Sequence, residues 1–290
     1  MSTTGNPLRL GPRASAAIGL ISVLGLMAFG WPLLADADSA VTDHAADAPW
    51  LFAALLPLLV AVVIATVSES GMDAKAVAML GVLAAVGAAL RPLGAGTAGL
   101  EPMFFLMVLS GRVLGPGFGF VLGSVTMFAS ALLTGGVGPW MPFQMLSMAW
   151  FAMGAGLLPR SRTPGRARTE LPLLAAYGFL ASFAYGAVMN LQGWPIVTGL
   201  GSGASFEPGA PVHENLLRFA VYYVTTSLGW DLGRATLTAV LTLTVGGPLL
   251  KALRRATRRA NFEAQVTFEA PEPSPHGEAP HRTQVTFDPE

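Results

Sequence analysis

The chain has no cysteine and only four histidines, His44, His213, His276 and His281. Without thiols there is no disulfide, no thiolate metal site and no thiol nucleophile. The histidines fall in expected loops or in the tail, and no H-E-x-x-H pair is present, so zinc-peptidase chemistry lacks its ligands. Lysine is scarcer still. Lys75 and Lys251 are the two present and neither closes a G-x-x-x-x-G-K loop, so the chain carries no nucleotide cradle of its own. No G-x-S-x-G elbow occurs, and an intramembrane Ser/His pair would need a histidine that no apolar segment supplies. No catalytic residue, metal or cofactor is expected, and no nucleic-acid partner.

Charge is also scarce. Asp, Glu, Lys and Arg make up 12% of the residues against 52% apolar ones, and mean hydropathy is +0.56. One soluble core cannot hide that much apolar surface, which predicts an all-α integral membrane protein of the cytoplasmic membrane, with the lipid bilayer as its first partner. Apolar segments able to cross about 30 Å of hydrocarbon lie at about 14–34, 50–68, 74–91, 101–114, 117–134, 141–158 and 171–190, with a last one ending near Leu250. Several are short enough to require tilt or a thinned bilayer edge.

Net charge is zero, but its distribution is uneven. With the N-terminus inside, Arg9, Arg13, Lys75, Arg112, Arg160, Arg162, Arg166, Arg168, Lys251, Arg254, Arg255, Arg258 and Arg259 all fall on the cytoplasmic side, where basic residues near span ends belong. Only Arg91 sits in an external loop. The external loop 35–49 is acidic, with Asp36, Asp38, Asp43 and Asp47. The expected topology is therefore N-in and C-in with eight spans. The same parity bears on residues 214–250, because two crossings there would put KALRRATRR outside. We expect 214–230 to be a kinked, interfacial or re-entrant lead-in, a non-helical break at Gly229-Trp230-Asp231-Leu232-Gly233, and 232–250 to form most of the last span.

Two segments stand apart. Arg9 and Arg13 followed by an apolar run and Ala35-Asp36-Ala37 admit a cleaved signal peptide, although the run is longer than usual and favours a retained anchor. The end of the chain is rich in Pro, Glu and His, with QVTFE at 265–269 echoed as QVTFD at 284–288. It is expected to be a disordered cytoplasmic tail, with the echoed pentapeptide a possible docking motif.

Three kinds of residue stand out within the apolar body. Ala74, Ala78, Gly81, Ala85 and Ala88 recur at helical spacing and share a face, which lets another helix approach closely in lipid or packs within this chain. Aromatic and amide side chains gather at external span ends: Trp140, Phe143 and Gln144 at one entry, Tyr185, Asn190, Gln192 and Trp194 at one exit. The glycine-rich loop from Arg91 to Glu101 lies on the same side. Such material builds an organic-ligand pocket or, for single aromatics, an interfacial belt. Arg112, Arg218, Asp231 and Arg234 are ionisable groups near membrane depth and hence functional candidates. A pair of Asp231 with Arg218 or Arg234 would serve equally as structural glue.

The order of these elements resembles a known family. The block from Lys75 to Pro159, the basic loop after it, the span YGFLASFAYGAVMNLQGW and the closing PLLKALRR are similar to the substrate-binding S component of energy-coupling factor (ECF) vitamin transporters. The resemblance covers about 74–255 as a six-helix substrate-binding core. Residues 1–73 would add two N-terminal transmembrane helices, and 256–290 the tail. It implies a vitamin-importer subunit that docks on a coupling transmembrane subunit served by two ATP-binding subunits. The docking face would be the A-x-x-x-A pattern matched by Ala74 and Ala78 and extended by Gly81 and Ala85. The ligand would sit near the external side under the loop Arg91 to Leu100. The expected contacts are Arg91, Glu101, Trp140, Phe143, Gln144, Tyr185, Asn190, Trp194 and Asp231. Cobalamin or a precursor is the first substrate expected, then riboflavin. A secondary transporter, which needs paired broken helices, and a membrane scaffold without a pocket remain alternatives.

Overall fold

The computed structural model describes residues 10–34, 54–69, 72, 74–94, 99–159, 167–197 and 199–261. The alanine pair flanking Asp36, the acidic loop, Arg160, Arg162, Arg166 and the echoed tail pentapeptides lie outside them. Among the described residues the regular structure is helical, with no strand: α1 (Pro12–Phe29), α2 (Trp31–Leu34), α3 (Leu55–Glu69), α4 (Ala74–Leu90), α5 (Met103–Leu114), α6 (Pro116–Thr134), α7 (Met141–Leu157), α8 (Ala167–Gly193), α9 (Val212–Thr226), α10 (Leu228–Thr244) and α11 (Gly246–Asn261). Among those residues, four stretches are long and apolar enough to cross a membrane: Pro12–Phe29, Ala74–Gly94, Pro116–Thr134 and Glu170–Ile196. The bent pair α10–α11 makes up to five. The chain is thus an all-helical, multi-pass membrane protein. Its perimeter supports this, with Leu20, Val23, Ile64, Val82, Leu133, Leu180 and Leu243 all more than half exposed, as lipid-facing side chains are.

The helix ends follow local rules. Pro116 and Pro142 stand in first turns, where a missing N–H costs nothing. Gly115 has φ +93°, and this left-handed residue turns the chain between α5 and α6 in a single step. Gly135, also left-handed, ends α6.

Packing is tightest where small residues meet. Gly111 and Gly119 lie against the Ala152 carbonyl, Gly123 against Met148 and Gly156 against Gly115, so a Cβ at any of them would enter a neighbouring backbone. These contacts also give direction. Phe104 meets Phe151 at one end of α5 and Arg112 meets Leu158 at the other, so α5 runs parallel to α7 while α6 runs against both. α10 runs against α8, with Asp231 beside Gly186, Thr238 beside Gly178 and Gly246 beside Leu171. α4 runs beside α6, and α1 against α7 through Phe29–Phe143 and Trp150–Ser22. Glu69 at the end of α3 returns to Gly11. The bundle therefore has two ends, one holding Arg91 and the other Arg112, with α5 buried in its middle.

At the Arg112 end the guanidinium donates to the carbonyls of Leu158 (2.8 Å) and Pro159 (3.2 Å) and pairs with Glu170 at 2.9 Å. Arg254 reaches the same Glu170 oxygen at 2.6 Å. Four helices are tied there, so Arg112, a functional candidate by its depth, holds the bundle together at this end.

Three expectations change. The chain is helical through Gly229–Gly233, so no break lies there; the interruption is two residues before Gly229, at Ser227. Asp231 sits in the first turn of α10 and pairs with Arg234 three residues on. The helix dipole, that pair and packing on α8 outweigh the cost of two helical glycines, about 1 kcal/mol each. The apolar span also ends at Thr244 rather than near Leu250, because the chain turns by 70° into α11. Finally, Ala88 is buried, whereas Ala74, Ala78, Gly81 and Ala85 are exposed. The inward face of α4 is instead Ala76, Leu80, Ala84, Gly87 and Ala88.

Candidate functional site

At the Arg91 end, polar side chains from five helices and one loop converge. Arg91, just past α4, donates to Ser130 of α6 at 3.2 Å and to the Gln144 amide oxygen of α7 at 3.1 Å. Glu101, ahead of α5, pairs with Arg234 of α10 at 3.2 Å. Arg234 also pairs with Asp231, whose second oxygen accepts the Tyr223 hydroxyl of α9 at 2.6 Å. The Arg234 guanidinium lies over the rings of Phe104 (4.9 Å) and Tyr185 (5.2 Å), a cation–π arrangement favoured away from water. One buried guanidinium thus faces two carboxylates, and aromatic rings cover its remaining surface.

Asn190 forms the adjoining node. Its amide oxygen accepts from Ser227 at 2.8 Å and from Tyr222 at 3.4 Å, and its nitrogen donates to the Gly186 carbonyl at 2.8 Å. Gly186 lies directly under Asp231, and only a residue without a side chain leaves room for that carboxylate. Gly99, with φ +84°, lies against the Trp230 carbonyl at the start of α10.

Beside this network, between α7 and α8, is a cleft of about 410 Å³ lined by Ser147, Trp150, Phe151, Tyr177, Leu180, Ala181, Ala184, Tyr185 and Val188. Its walls are aromatic and aliphatic. The Tyr177 hydroxyl is committed to the Phe151 carbonyl at 2.6 Å, and the Ser147 hydroxyl points to the Met189 sulfur at 3.5 Å. Leu180 and Ala184 are exposed at its mouth, so the cleft opens sideways, toward lipid. Tyr185 belongs to both features, with its ring edge-on to Phe104 at 4.9 Å.

Six of the expected contacts come together here: Arg91, Glu101, Gln144, Tyr185, Asn190 and Asp231. The other three stand elsewhere. Trp194 is fully buried in a box of Phe206, Phe219 and Tyr222, its indole bonded to the Ala204 carbonyl, and it packs the loop before α9. Phe143 is buried against Phe29 of α1. Trp140 is 45% exposed with its indole on the Gly136 carbonyl, a belt position. Arg218 pairs with Glu207 and Glu214, leaving Arg234 as the partner of Asp231.

Sequence reasoning missed Phe104, Tyr223, Ser227 and most of the cleft. Trp150, Phe151 and Tyr177 carry no local signal of a site, and only the pairing of α7 with α8 makes them walls. No family model, curated protein or solved structure matches this chain.

Proposed function

We propose that the chain is the membrane-embedded binding subunit of an importer of ECF type. It would capture a small organic molecule and pass it on by docking on a coupling transmembrane subunit driven by two ATP-binding subunits. The observation that carries this reading is the cleft with a charged network at one edge. It offers apolar, aromatic walls and a few convergent polar groups, within the size range of organic-ligand sites, in a chain with no nucleotide cradle. The exposed small-residue face Ala74, Ala78, Gly81 and Ala85 suits the docking step, since a Cβ at Gly81 meets nothing within 4 Å.

Eight crossings with both termini in the cytoplasm fit the same reading. Helices α1, α3, α4, α5, α6, α7, α8 and α10 alternate in direction, with α2, α9 and α11 as accessory segments. Arg13, Lys75, Arg112, Arg254, Arg255 and Arg258 gather toward one end, which the excess of basic residues would make the cytoplasmic one. The substrate is then a vitamin or related compound entering from the external side. The substrate order stays cobalamin or a precursor first, then riboflavin.

The test is ligand retention. The protein is purified in mild detergent and denatured, and the released small molecules are identified by absorbance and mass spectrometry. A stoichiometric flavin or other vitamin supports the proposal. An empty protein that shows no thermal shift with any vitamin overturns it in favour of a scaffold.

A further inference from the structure

The last helix carries a surface that the import reading does not use. Helix α11 leaves α10 at 70°. The flank of α10 just before that bend is apolar and exposed, with Val240 at 48%, Leu243 at 51% and Val245 at 47%. Hydrocarbon contact therefore continues up to the bend, and α11 starts where the hydrocarbon stops. A helix turned through 70° at that level runs close to the plane of the headgroups.

The two sides of α11 differ. Leu250, Leu253 and Thr257 are buried against the bundle, and the Thr257 hydroxyl bonds back to the Leu253 carbonyl at 2.9 Å. Lys251, Arg254, Arg255 and Arg258 are exposed and recur at i, i+3, i+4 and i+7, so they share one face. Arg254 is tied to Glu170. Lys251, Arg255 and Arg258 make no ion pair among the described residues. The apolar side is already satisfied by protein, which leaves a row of three free cations at headgroup height beside a lipid-facing span.

We infer that this face binds the headgroups of anionic phospholipids, with Lys251, Arg255 and Arg258 as contacts and Arg254 holding the helix to the bundle. The complementary charge is phosphate. A guanidinium takes a phosphate oxygen pair in fork geometry while a lysine adds a point charge. Each such cation near an anionic surface contributes about a fivefold preference, so three together give roughly a hundredfold. The division of labour is specific: Arg254 is structural, and the other three recognise lipid.

The experiment uses the full chain in detergent, titrated with phosphatidylglycerol or phosphatidylcholine and read by native mass spectrometry, with melting temperature recorded in parallel. Preferential retention of phosphatidylglycerol is expected. It should fall to the phosphatidylcholine level in K251Q/R255Q/R258Q without loss of melting temperature. R254Q should show the converse, a lower melting temperature with the lipid preference kept. Equal retention of both lipids by the unaltered chain, or an undiminished preference in the triple variant, overturns the inference. The first of these would assign the cationic row to an acidic protein partner instead.

Discussion

Arg234 and Glu101 stand 133 positions apart in the chain and 3.2 Å apart in the fold. Their pair joins the loop before the central helix to the first turns of α10. Because Asp231 shares the same guanidinium, the two partners are unequal. Arg234→Met strands two carboxylates, whereas Glu101→Gln leaves Arg234 with Asp231. Removing one partner of a buried pair costs about 3–5 kcal/mol, and Arg234→Met should reach that range. Glu101→Gln should cost about half as much. Thermal unfolding in detergent gives the order, and equal costs would mean that Asp231 takes no share of the charge.

Arg112 is nearly fully buried and makes three contacts through three different nitrogens. A lysine has one nitrogen and cannot span the Glu170 carboxylate and two carbonyls. Arg112→Lys should therefore lower stability by about 1–3 kcal/mol. On the proposed function, the ligand-induced thermal shift should be retained, because Arg112 does not line the cleft.

Ala184 lies at the mouth of the cleft and is exposed. Ala184→Trp should fill the opening without disturbing the packed interior. The expected result is a chain that melts normally and has lost its ligand-induced shift. A retained shift would place the ligand elsewhere.

Gly81 and Ala78 face outward on α4 with free space at Gly81. Bulky side chains should be silent in the isolated protein. If the proposed docking role holds, Gly81→Trp with Ala78→Trp leaves any ligand-induced thermal shift intact and abolishes co-purification with a coupling subunit, along with cellular uptake. A double variant that still transports would return this face to the lipid.

Gly123 meets the Met148 backbone with no room for a Cβ. Gly123→Ala forces α6 away from α7 and should cost about 1–3 kcal/mol, read as a lower melting temperature. Gly81→Ala serves as the control of opposite sign, since a Cβ there meets nothing and removes the cost of a helical glycine, up to about 1 kcal/mol.

Much of the helical frame was legible. Expected segments at 74–91, 117–134 and 141–158 match Ala74–Leu90, Pro116–Thr134 and Met141–Leu157, because apolar runs bounded by Gly and Pro leave little choice of end point. Polar residues near span ends were legible for the same reason, since a buried amide or charge needs partners. Partner identity was not. Nothing local ties Glu101 to Arg234, and the pairing of Tyr223 with Asp231 depends on where α9 stops. Two glycines around Trp230 suggested a stop that tertiary packing overrides, and the true interruption, Ser227, has no glycine or proline of its own. The cleft was illegible because it is a gap between two helices, set by small residues on α8 facing large rings on α7.

The central helix carries a consequence for how this protein is made. Helix α5 has twelve residues, about 18 Å at 1.5 Å per residue, against roughly 30 Å of hydrocarbon, and it is enclosed by its neighbours. Released alone from a ribosome, such a segment could neither bridge the bilayer nor shield Arg112. It needs the one-residue turn at Gly115 to fold α6 back along it, and then α7 to supply the carbonyls that receive Arg112. The stretch from Met103 to Pro159 therefore packs as one three-helix hairpin, and substitutions at Gly115 or Gly156 are expected to lower the yield of inserted protein.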